Sequence, residues 1–251
     1  MGDELTWQPL RDALQRMVDT NRHARLWLRD DDAVEPTPAL DRLFNLTRQA
    51  GVPLSLAVIP AHTGPALAAR LQAEVHTSVT VHGWSHENHA AAEGKKRELG
   101  PDRPAEVVLA ELHIGFDKLQ SLYPTRLEPV LVPPWNRVDP SLLPRLPGLG
   151  FRAVSVYGQA DGESPIAQVN THVDIMDWLG TRGCRPHGEL VSLMVRELES
   201  RGAGGAEPIG LLTHHLVHDE ACWDFLARLF EVTAGSDAVR WDPLGDLLPK
   251  A

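Results

Sequence analysis

The sequence predicts an α/β fold, a single domain built as a (β/α) barrel. Three observations carry this. Apolar strand-like runs alternate strictly with helical patterns, the mark of a parallel sheet covered by helices. The chain is 251 residues long, which suits one barrel. No G-x-G-x-x-G turn follows the first strand, and that removes the main positive argument for an open dinucleotide-binding sheet.

The elements follow in order. Residues 1–22 read as an N-terminal helical cap. ARLWLR (24–29) is a strand. Residues 37–51 are a helix with Thr37 as N-cap, Pro38 in the first turn and Gly51 at the C-terminus. Residues 53–60 form a buried strand, 64–74 a helix, and TSVTVHG (77–83) alternates as a strand. The longest helix spans 104–123. PVLVPPW (129–135) is a short strand ended by prolines. A proline-broken helix leads to the strand 151–157. Residues 169–178 are a strand, 189–202 a helix, 207–215 an apolar strand, 219–233 a helix and 238–241 a last strand.

Composition narrows the function. With 43% hydrophobic and 23% charged residues the chain is ordinary globular material. Two cysteines, Cys184 and Cys222, exclude a disulfide scaffold and a Cys-rich zinc module. A net charge of −10 argues against a nucleic-acid partner, since phosphate affinity comes from clustered Lys and Arg. Apolar stretches such as Leu54–Pro60 are too short to span a bilayer. The start, MGDELTWQPL, has no basic region and no apolar core, so it is not a secretory signal. Gly2 and Thr6 fit a loose myristoylation pattern, but no basic cluster follows to anchor the chain. The expectation is a cytoplasmic protein acting on a small molecule, away from nucleic acid and membrane.

In a barrel of this type the chemistry sits where strands give way to loops. Here those ends are polar. Strand one ends Arg29-Asp30-Asp31-Asp32, and adjacent carboxylates become tolerable beside a metal ion or Arg29. His82 and His86, four apart, would share one face of a helical turn, as metal ligation requires. Two histidines and one aspartate make a facial set with open positions, suited to zinc or a similar divalent ion that acidifies bound water. Pro133-Pro134-Trp135 ends the fourth strand, Asp177-Trp178 the sixth, and His214-His215 the seventh.

Asp-Asp, H-x-x-x-H, Pro-Pro-aromatic, Asp-Trp and a leucine-rich strand ending in His, in this order, resemble the polysaccharide deacetylases, the NodB-homology carbohydrate esterases. The match covers residues 25–215. The resemblance implies an irregular (β/α)7 barrel, a divalent metal (commonly zinc) and hydrolysis of an acyl group, typically N-acetyl, on a sugar or oligosaccharide. It implies Asp31 as general base, Asp32, His82 and His86 as metal ligands, and His214 as general acid with Asp177 as its partner. A slip of one residue would instead make Asp30 and Asp31 the aspartate pair. Gly83 stands where the family has Ser or Thr, and Val132 where it has arginine. Arg29 or Arg137 is therefore expected within salt-bridge distance of Asp30 or Asp31. Trp84, Trp135 and Trp178 are candidate walls for a sugar ring, with Arg29 and Asp30 beside them. Two rival readings differ in class. A two-His-one-carboxylate iron oxygenase normally uses an all-β scaffold. A non-catalytic sugar-binding protein on the same barrel is suggested by Val132.

Overall fold

The computed structural model describes residues 2–201 and 207–249. Helix α1 (Gly2–Asp19) is followed by β1 (Ala24–Ala33), α2 (Pro38–Ala50), β2 (Leu54–Val58), α3 (Pro65–Leu71), β3 (Thr77–His82), α4 (Ala105–Leu122) and β4 (Leu127–Val132). The second half holds β5 (Ala153–Val154), β6 (Ala167–Gln168), β7 (Val173–Asp174), α5 (His187–Ser200), β8 (Ile209–Thr213), α6 (Glu220–Ala234) and β9 (Val239–Trp241). The expected end of the fifth helix at Gly202 lies outside the described residues.

All the strands are parallel, in the order β6-β5-β4-β3-β2-β1-β8-β7, with β9 added to the start of β1. The central strands β2 and β8 are buried along their whole length, as a parallel sheet covered by helices requires. Within the expected strand 169–178 only Val173–Asp174 (β7) is regular strand, and β6 lies just before it. The run 167–175 hydrogen-bonds first to the β5 side, through Val169 N to Val154 O and Thr171 N to Val156 O. It then crosses to β8, through His172 N to Gly210 O and Ile175 N to Leu212 O. One stretch of chain thereby joins the two ends of the sheet, which makes the barrel irregular. The crossing needs Gly210, because a Cβ there would lie 2.6 Å from Asn170 O and 2.7 Å from Thr171 Cα.

The helices form as the sequence dictates. Thr37 Oγ1 accepts the N–H of Leu40, Pro38 opens α2, and Gly51 closes it. Residues 140–149, interrupted by Pro144 and Pro147, wind as a 3-10 helix. Helix α1 lies along α5 in the outer layer and stacks its buried Trp7 on Phe225 of α6 at 5.3 Å between ring centroids. It is therefore part of the helical wall, where the sequence suggested a cap.

Two departures shape the site. Strand β1 continues through the aspartate run to Ala33, beyond its expected end at Arg29. The pairing of Arg29 with Leu212 and Asp30 with Thr213 carries it forward, and a shift of register against β2 follows between Asp30 and Ala33. At that irregularity Asp32 takes φ 72°, which re-aims its side chain. Strand β8 stops at Thr213, so His214 and His215 lie just past it, with His215 opening a single 3-10 turn.

Candidate active site

A cavity of about 460 Å³ opens at the C-terminal ends of the strands. Asp31, Asp32, His82, His86, Asp174 and His214 supply its titratable wall. Trp135 and Trp178 supply aromatic surface.

Asp32, His82 and His86 converge. Asp32 Oδ1 lies 3.1 Å from His82 Nε2 and 3.3 Å from His86 Nε2, and the three ligand atoms all fall within 4.8 Å of one another. His82 ends β3, and its Nδ1 lies 2.9 Å from the Val132 carbonyl. Donation there leaves Nε2 as the free lone pair. Burial and repulsion from His82 hold the His86 imidazole below its ordinary pKa. Asp32, although burial opposes it, is held far below the carboxylate range by the hydrogen bond and charge of His82 and the charges of His214 and His86. An ionised carboxylate and two imidazole nitrogens around one point are the donor set a divalent ion such as zinc requires, and the residues fit the group.

His86 does not share a helical turn with His82. The chain from 83 to 86 is a tight loop with Gly83 at φ 58° and His86 at φ 58°. Glu98, fully buried, holds it. Its Oε1 accepts the N–H groups of Trp84 (3.1 Å) and Ser85 (2.7 Å) and the Ser85 hydroxyl (3.3 Å), and its Oε2 accepts the N–H of His86 (3.2 Å). A Cβ on Gly83 would meet Glu98 Oε2 at 2.2 Å and Pro134 Cγ at 2.6 Å. Only glycine leaves room here for the Glu98 carboxylate, which makes the hydrogen bonds of the loop.

Asp31 faces the cavity and is gripped from behind. Arg29, fully buried, donates to both its oxygens, from Nε at 2.8 Å and from Nη2 at 3.0 Å. The remaining guanidinium hydrogens go to Ser155 O (3.0 Å), Ser155 Oγ (2.8 Å) and Asn136 Oδ1 (2.9 Å). Arg29 therefore provides the cation expected beside Asp31, from two residues earlier on the same strand face. Arg137 instead donates to the Lys96 carbonyl at 2.8 Å.

Asp30, a candidate for substrate contact, points away from the cavity. It is fully buried against His215 Nδ1 and accepts from Thr213 Oγ1 (2.7 Å) and His215 N (2.9 Å). Burial alone would raise its pKa, but His215 brings it below the ordinary value. His214 turns the other way. Its Nε2 is 4.0 Å from Asp31 Oδ2, and its ring meets Trp178 edge-on at 4.7 Å between centroids. Its backbone N–H donates to His218 Nε2 at 3.2 Å.

Asp177 is not the partner of His214. Its carboxylate accepts from Gly180 N and Thr181 N, each at 3.0 Å, and so closes a surface turn. Besides Asp31, the carboxylate that His214 influences is Asp174, whose pKa burial raises and the charge of His214 lowers in part. Asp174 also accepts from Trp178 Nε1 at 2.8 Å, which fixes the indole against the histidine. Trp84 does not line the cavity either; it lies against Gly115 of α4. Sequence reasoning missed Asp174, Glu98 and Asn136. A signal existed for Asp177: Gly180 and Thr181 downstream are turn residues, which suit a capping aspartate.

No protein-family model and no curated protein sequence matches the chain. Solved structures do. One is a Mycobacterium smegmatis protein assigned as a polysaccharide deacetylase, 16% identical with a TM-score of 0.63, over 90% of this chain and 89% of that one. A second is a family 4 carbohydrate esterase from Streptomyces lividans in complex with acetate, at 14% identity and TM-score 0.53, over 92% and 98% of the two chains. A third is a family 4 acetyl xylan esterase from Clostridium thermocellum in complex with a cobalt ion, at 15% identity and TM-score 0.52, over 89% of each. At these identities what is shared is the fold: this chain has the irregular barrel of the polysaccharide deacetylases and family 4 carbohydrate esterases.

Proposed function

We propose that the protein is a metal-dependent hydrolase that removes an acyl group, N-acetyl in the first instance, from a sugar or a related small amide. One observation carries the reading. Across a single cavity, an Asp-His-His set faces a carboxylate clamped by a buried arginine on one side and a histidine on the other. The acetate held by one structural neighbour and the cobalt ion held by another support both halves of the proposal.

Asp32, His82 and His86 would hold the ion, most suitably zinc. When bound, it supplies Lewis-acid polarisation of the acyl carbonyl and a water acidified toward neutrality. Asp31 takes the proton of the attacking water. The Arg29 clamp holds the Asp31 carboxylate in a fixed orientation at the cavity wall. Trp135 stands on a left-handed turn (φ 55°) at the cavity wall, where its N–H is the candidate donor to the developing oxyanion. His214 delivers a proton to the leaving amine or alkoxide, with Asp174 as the neighbouring negative charge and Trp178 limiting its ring. The filled position of the missing arginine argues against a purely binding role, because a fully satisfied guanidinium behind Asp31 orients a base. The cytoplasmic setting belongs to this proposal; the structure adds only that no helix among the described residues is long and apolar enough to cross a membrane.

The test is turnover of acetylated amino sugars by metal-loaded protein, repeated with chelator and with His86→Ala. The expected result is loss of activity with chelator, recovery on readdition of metal, and a folded His86→Ala protein with little metal. Full stoichiometric metal in that variant would overturn the ligand assignment.

A further inference from the structure

We infer that the substrate carries an anionic group, a carboxylate, phosphate or sulfate, on the part that bears the acyl linkage. This rests on the hydrolase reading above and adds a substrate class to it. The chain is acidic, with 34 carboxylates against 24 basic residues. Its surface arginines are mostly spent on carboxylates, as in Arg42–Glu220, Arg97–Asp102 and Arg145–Glu106. Three cations at the cavity depart from that pattern. Lys96, Arg137 and Arg182 all line it, and among the described residues none of them forms an ion pair with a carboxylate.

Two of the three are held in place. Arg137 gives one nitrogen to the Lys96 carbonyl, which ties the two residues together on the side of His86 and Trp135. Arg182 lines the same cavity from the turn that Asp177 closes after Trp178. Its backbone is left-handed (φ 59°), an unfavourable conformation for a branched-free but bulky residue, and its N–H donates to Asp177 O at 2.9 Å. The turn that Asp177 caps thus serves to present Arg182. The carboxylates of the cavity have partners other than these three cations. Asp31 is committed to Arg29, Asp32 to the two histidines, and Asp174 to Met176 N and Trp178 Nε1. A bound divalent ion would add further positive charge. Unpaired cations gathered at one mouth of an acid-rich molecule steer anions into it and offer forked donors to a carboxylate or phosphate.

The experiment compares metal-loaded protein on three probes: N-acetylglucosamine, its phosphate monoester and its carboxylate-bearing lactyl ether. Titration calorimetry with the corresponding free amines runs in parallel. The expected kcat/KM for at least one anionic probe exceeds that of the neutral sugar by about tenfold or more, the scale of one charge-assisted contact. That ratio should shrink as salt rises and collapse in Arg182→Ala and Arg137→Ala. The phosphate and lactyl arms tell which anion is read. A neutral sugar turned over as well as either anionic one would overturn the inference and leave the hydrolase reading standing. Absence of turnover on every probe, with the anionic amine still binding more tightly than the neutral one in an Arg182-dependent way, would keep the inference and sink the deacetylase reading. Absence of both turnover and charge preference would overturn both.

Discussion

At the scale of single residues, the aspartate pair within β1 and the histidine pair just past β8 divide labour by direction. Asp31 and His214 face the cavity, while Asp30 and His215 pair in the interior. His214→Ala should cut turnover by ~10²-fold or more, with metal content and melting temperature nearly unchanged. His215→Ala should act on the fold instead. It strands a buried carboxylate, which costs about 3–5 kcal/mol and should appear as a large drop in denaturant midpoint. A turnover loss in His215→Ala without destabilisation would reverse the two roles. Acid stability tests the next neighbour. Burial, opposed by Asp30 and reinforced by His214 and His215, brings His218 down to about 4, whereas in the unfolded chain it titrates near ~6.5. Between those values the unfolded state binds the extra proton, so stability falls as pH drops through this window. His218→Gln should flatten that part of the stability profile. The grouping of Asp32, His82 and His86 was legible through residue type and the family resemblance, and the place of Arg29 beside Asp31 through strand alternation. Asp174 was not. A continuous strand would put residues 174 and 177 on opposite faces, and the run breaks at that point.

At the scale of elements, the β3–α4 connection is folded around one carboxylate. Glu98→Gln keeps an acceptor for Trp84 and Ser85 but sets an amide against the N–H of His86. Metal affinity should weaken by about 10–100-fold, the usual range for a residue that orients a ligand. Turnover should return at saturating metal. Competition with a chromophoric chelator measures the first, and a metal titration of rate measures the second; unchanged affinity would show that the loop holds its shape without Glu98. Helices and buried strands were readable here from period, caps and prolines. The loop was not, since Glu98 reaches it only after residues 87–97 fold back, and no periodicity marks such a contact.

At the scale of the molecule, alternation of strand and helix was enough to predict a barrel, but its manner of closure was not. Two-residue strands such as β6 and β7 carry too little pattern to show which neighbour they pair with. Gly210→Ala tests the closure. With backbone atoms at 2.6–2.7 Å from the added Cβ, the variant should lose about 1–3 kcal/mol, read as a lower thermal midpoint. An unchanged midpoint would mean that the 167–175 run can move aside freely. That run has a kinetic meaning as well. Its two halves find partners far away along the chain, β5 before it and β8 after it, so the pairing depends on distant segments already being in place. The seam of the barrel should therefore be among the last regions to gain protection from amide hydrogen exchange during refolding. Asp174 and Trp178 lie at its end, so the acid side of the cavity would mature only when the molecule is otherwise complete.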